Sequence, residues 1–78
     1  MPTIPREGPY RFFFYASDWR EPSHVHVQRD DKVGKFWLAP VRLQRSGGLR
    51  RAELRRIARI IDWNRDYLRE AWDEYFDD

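Results

Sequence analysis

The chain has 78 residues, room for one domain and one core, because a chain of this size buries only about 60% of its unfolded surface and has no apolar surface to spare. Hydrophobic residues at 41% and aromatic residues at 17%, against 36% charged, exclude a disordered tail, and the absence of cysteine excludes a disulfide framework, a thiol nucleophile and a thiolate zinc site. The net charge of +2 hides a polarised chain, since residues 1–59 carry 13 Lys and Arg against 6 Asp and Glu, and residues 60–78 carry 2 against 7. Thirteen of the basic residues are arginine, the side chain that grips phosphate or carboxylate bidentately, so an acidic or polyanionic partner is one reading of the basic part and a solvated face is the other.

Residues 1–9 contain Pro2, Pro5, Gly8 and Pro9 and read as an irregular arm. Met1–Arg6 has no apolar segment of the secretory type and no run is long enough to span a bilayer, so the expectation is a cytoplasmic protein with no membrane association. Tyr10–Tyr15 is aromatic and strand-prone, Ala16–Ser23 reads as a connecting loop, and His24–Arg29 alternates with period two. Asp30–Lys32 predicts a hairpin turn and Val33–Leu38 a third strand; beyond Pro40, Val41–Leu43 predicts a short edge strand. Ser46-Gly47-Gly48 breaks this pattern. Leu54, Ile57, Ala58 and Ile61 then form an apolar stripe at helical spacing, resumed by Leu68, Ala71, Trp72, Tyr75 and Phe76, with Asn64 in the seam as a cap or kink. The expected fold is α+β, one domain over residues 1–78: a three- to four-stranded antiparallel meander over 10–43, and a helical part over 49–77, two helices or one bent helix, packed on one face.

Side chains alternate across a strand, so burying Val25 and Val27 turns His24, His26 and Gln28 the other way. By the same reasoning Phe36 and Leu38 join the valines, as do Tyr10, Phe12 and Phe14. Arg11, Phe13, Tyr15, Lys35 and Trp37 then belong to the histidine face, which is expected to meet water. On the first helix Arg51, Arg55 and Arg59 recur every four residues beside the core stripe.

These residues carry a resemblance. Met1-Pro2-Thr3-Ile4, Gly8, Arg11-Phe12-Phe13-Phe14-Tyr15, Asp18, Glu21-Pro22, His24-Val25-His26-Val27, Lys35-Phe36-Trp37-Leu38, Pro40-Val41, Glu53-Leu54, Leu68, Ala71-Trp72 and Tyr75-Phe76 together resemble the bacterial family of domain of unknown function 4160. Members usually have a second proline where this chain has Ser23 and a serine where it has Ala16. The resemblance implies a short protein encoded beside a second small protein and labelled a toxin-like component of a toxin–antitoxin pair, which is an association and not a chemistry.

Three chemistries compete for the histidine face. His24 and His26 suit a paired acid and base acting on a ribose hydroxyl and phosphate without metal, with Glu21 orienting one imidazole, Arg11 and Lys35 on phosphate, and Tyr15 or Trp37 stacking a base. The plain alternative is a pair of surface histidines bonded to Glu21 and cross-strand neighbours. A metal reading uses the same pair with Glu21 or Asp18, but it is one or two ligands short, so no metal and no cofactor is assigned. Single-stranded RNA bound by stacking on Phe13, Tyr15 and Trp37 is the third, against cover by the arm or by a second subunit in a homodimer. The leading expectation is a toxin-like module acting on RNA, a ribonuclease if an enzyme at all, with Arg51, Arg55 and Arg59 as further nucleic-acid contacts. Its rival is a non-catalytic adaptor whose arginines and rings engage the antitoxin-like small protein encoded alongside.

Overall fold

The computed structural model describes residues 6–76. Five strands lie side by side in chain order in one antiparallel sheet: β1 Arg6–Glu7, β2 Tyr10–Phe13, β3 His24–Arg29, β4 Lys32–Leu38 and β5 Val41–Arg45. Two helices follow, α1 Arg51–Trp63 and α2 Arg65–Phe76. The α+β architecture is as expected, with one strand more than the meander called for. The added strand lies within the arm: Arg6 pairs with Arg11 and Glu7 with Tyr10, around a two-residue turn in which Gly8 adopts φ +56°. Thus the glycine and proline that read as irregularity make a hairpin turn. Residues 1–5 of the expected arm lie outside the described residues.

Alternation decides which side chains are interior. Tyr10, Phe12, Val25, Val27, Phe36 and Leu38 point to the helix-covered face, all at most 3% exposed, and meet Leu49, Ile57, Ile61, Leu68, Ala71 and Trp72. Each large apolar side chain in that layer contributes about 1.5–3 kcal/mol by leaving water. Phe14 has already left β2 and sets its ring edge-on to Trp72 at 5.4 Å and to Tyr75 at 5.8 Å. The start of α1 is tied to the sheet by Glu53, which accepts from Arg29 at 3.1 Å and from the Tyr10 hydroxyl at 3.3 Å.

Two helices, not one bent helix, carry the apolar stripe, because Asn64 serves both ends of the break. Its backbone N–H reaches the Ile60 and Ile61 carbonyls, its side-chain amide donates to the Ile60 carbonyl at 2.8 Å, and its own carbonyl accepts from Leu68 in α2. Before the helices the chain makes a tight pass at Gly47, which has φ +61° and lies so close to β4 that a Cβ there would sit 1.8 Å from the Val33 carbonyl oxygen. Only glycine fits that position.

Candidate functional site

The strand register puts His24 opposite Trp37, and His26 opposite Lys35 on one side and Phe13 on the other. The expected face therefore exists, but it is not open to water. His24 is 0% exposed, His26 3% and Lys35 8%. The segment read as a plain loop folds over them as a 3-10 turn, Ala16–Arg20, whose Asp18 is itself 9% exposed. One carboxylate organises the turn and the strand together: Asp18 Oδ2 accepts the Tyr15 N–H at 2.8 Å and meets His26 Nε2 at 3.0 Å, while Oδ1 lies 3.1 Å from His24 Nε2. A loop of this length, returning across the sheet with a carboxylate at its centre, seals polar ring edges that would otherwise need water.

Ring nitrogens have assignable roles. His24 Nδ1 is 3.0 Å from the Pro22 carbonyl oxygen, a group that only accepts, so Nδ1 carries a proton and donates it there. His24 Nε2 lies beside Asp18 Oδ1 off hydrogen-bonding geometry and is buried without a hydrogen-bond partner among the described residues, as is His26 Nδ1. The imidazole of His26 is pressed between rings, with Phe13 stacked at 5.4 Å and Tyr15 tilted at 4.6 Å. Burial lowers the His26 pKa from its ordinary value, outweighing the opposing pull of Asp18, so its neutral form is favoured.

The remaining predicted residues divide. Glu21 pairs chiefly with Lys35, whose hydrogen bond holds the Glu21 carboxyl below the usual carboxylate value, and its Oε1 lies 3.6 Å from His24 Nδ1. Lys35 is thus committed to Glu21, with its Nζ 5.1 Å from the centre of the half-buried Trp37 ring, and is not a free phosphate ligand. Trp37 stands edge-on to His24 at 5.7 Å. Of this group Glu21, Arg11 and Tyr15 are exposed, Arg11 donating to Gln28 at 2.9 Å and lying over the Phe13 ring. The expectation of two imidazoles standing in water within reach of substrate is corrected by this closure. Trp72 of α2, read only as core, also reaches the site, with its ring 4.9 Å from that of His24.

Arg51, Arg55 and Arg59 are not part of this cluster. They are exposed along α1, and Arg51 and Arg55 join Arg42 on the rim of a groove between β5 and α1, about 450 Å3 in volume, whose floor is Phe36, Val41, Leu43, Leu54 and Ala58. Among the described residues none of these four arginines pairs with a carboxylate. The apolar floor went unread in the sequence because Val41 and Leu43 face the helix only once β5 is placed.

The pattern that defines the domain of unknown function DUF4160 matches residues 10–73 of this chain. The chain belongs to that family. The match spans β2 to α2 and so takes in Asp18, both histidines and the groove of this DUF4160 domain. No curated protein and no solved structure matches the chain. No helix among the described residues is long and apolar enough to cross a membrane.

Proposed function

We propose that this DUF4160 protein is the toxin-like member of a two-component pair and that it works by binding, with the groove between β5 and α1 as its contact surface. The observation that carries the reading is the groove itself, an apolar floor rimmed by Arg42, Arg51 and Arg55, all exposed. Guanidinium groups around an apolar trough suit an amphipathic protein segment that seats an apolar side chain on the floor and offers Asp or Glu to the rim. Among the described residues β5 is also an edge strand, paired only with β4, so an extended segment has backbone groups to bond. The small protein encoded alongside is the expected source of that segment. The RNA-cleavage reading is less favoured, because His24 and His26 are covered and Lys35 is paired.

Co-expression with that neighbouring protein tests the proposal. Reversing Arg51 and Arg55 together to Glu is expected to weaken the complex at least about tenfold, equivalent to roughly 1.4 kcal/mol, while the melting temperature stays put because both side chains are exposed. Undiminished binding by the double variant overturns the groove assignment. Retained protein binding with lost binding of single-stranded RNA moves the same arginines to a nucleic-acid role.

A further inference from the structure

We propose that Asp18, His24 and His26 form a binding site for one divalent transition-metal ion of the zinc type. Each offers a ligand atom, and the three atoms lie within 4.8 Å of one another, all on buried residues. Two imidazoles and one carboxylate are a ligand set that Zn(II) and its first-row neighbours accept.

The decisive observation is the meeting of His24 and Asp18. Nδ1 of His24 donates its proton to the Pro22 carbonyl, so in the neutral ring Nε2 carries a lone pair, and it lies 3.1 Å from Asp18 Oδ1 at 0% exposure with no hydrogen bond among the described residues. An unprotonated imidazole nitrogen and a carboxylate oxygen packed together in a dry interior repel, and a cation held by both reverses the sign of that contact. That cation is either a second proton on the imidazole or a metal. The angle at Nε2 is wrong for a proton shared along the line to Oδ1, and a metal placed to the side of that line has no such requirement. Tetrahedral ligands about 2.0–2.1 Å from zinc stand roughly 3.3–3.4 Å apart. Each carboxylate oxygen stands near that spacing from one imidazole, 3.1 Å from Oδ1 to His24 Nε2 and 3.0 Å from Oδ2 to His26 Nε2, and with one ligand atom per residue the three lie within 4.8 Å of one another, so holding one ion takes an adjustment of these side chains.

The outer groups agree with this. A metal-bound histidine ordinarily donates its far N–H to a carbonyl or carboxylate, which fixes the ring and raises its basicity. His24 donates to the Pro22 carbonyl at 3.0 Å, and Glu21 Oε1 lies nearby at 3.6 Å, with Glu21 held in turn by Lys35. The Asp18 carboxylate is oriented by the Tyr15 N–H. The fourth position belongs to water or to a ligand from outside the chain.

The full chain, purified without a histidine tag and stripped with chelator, is titrated with Zn(II) against a chromophoric competitor, and with Co(II) to read visible ligand-field bands. The expected result is one saturable site per chain and a tetrahedral Co(II) spectrum, with a change in fluorescence of the exposed Trp19 next to Asp18. Asp18→Asn and His24→Ala are expected to lose stoichiometric binding, and Glu21→Gln to weaken it roughly tenfold, the usual scale for an outer-shell partner. Should the ligand variants fail to fold, the ring-nitrogen shifts of wild-type protein decide: Zn(II) must move His24 Nε2 and His26 Nε2 and leave His24 Nδ1 protonated. A folded wild-type chain that takes up no metal, or an Asp18→Asn variant that binds as tightly as wild type, overturns the proposal and leaves a proton as the cation between His24 and Asp18.

Discussion

Replacing Asp18 by alanine isolates what closes the histidine face. The substitution removes the acceptor of the Tyr15 N–H at 2.8 Å and of His26 Nε2 at 3.0 Å. A hydrogen bond to a charged group contributes about 1.5–3 kcal/mol, and a buried imidazole N–H left without a partner costs about 1–3 kcal/mol. The Tyr15 hydrogen bond is only part-buried, so the low end applies there, and the sum is roughly 3–4 kcal/mol. For a domain this small each kcal/mol moves the melting temperature by about 4–8 °C, so Asp18→Ala is expected to melt roughly 12–32 °C lower. The measurement is thermal and urea unfolding followed by circular dichroism, with chelator present throughout so that hydrogen bonding alone is read. Asp18→Asn keeps one carbonyl oxygen for Tyr15 or His26 and should lose clearly less. A fall under about 5 °C for Asp18→Ala refutes the reasoning, because it would mean that neither donor depends on that carboxylate.

Two further perturbations follow from the geometry. Gly47→Ala is expected to be far more damaging than Gly8→Ala in parallel melts: both glycines have positive φ, which costs an alanine about 1–2 kcal/mol, but the new Cβ meets the Val33 carbonyl oxygen at 1.8 Å at Gly47 and, among the described residues, nothing within 4 Å at Gly8. Equal losses would contradict the close approach of that turn to β4. Glu53 has its pKa lowered from 4.5, chiefly by the Arg29 hydrogen bond, so its stabilising contribution is complete above that value and lost as pH falls through the folded-state pKa. The stability gap between wild type and Glu53→Gln should therefore be widest near neutrality and close in acid; a gap that does not change with pH would show that the pair does not form.

Which face each side chain occupies was legible in the sequence, because strand alternation is a local rule. His24-Val25-His26-Val27 can bury its valines in only one way, and the register bears this out from Arg11 to Trp37. The closure of that face was not legible. It depends on Asp18 reaching His26 eight residues away across a folded loop, a contact that no periodicity announces, although an aspartate three residues after the last aromatic of β2's run is a turn-capping signal. Gly8 and Pro9 were ambiguous in the same way, since the residues that break a strand also turn a hairpin. On α1 the arginine spacing could be read directly, whereas the floor beside it is made by β5 and β4 and appears only when the strands are placed.

The ring nitrogens themselves give the most direct test that Asp18 holds both histidines inside a sealed face. Two-bond 15N–1H spectra of the full chain in chelator should show His24 protonated at Nδ1, with its N–H slow to exchange, and His26 in its neutral form near neutrality. Two fast-exchanging imidazoles, each averaging between tautomers as a free side chain does in water, would contradict the account.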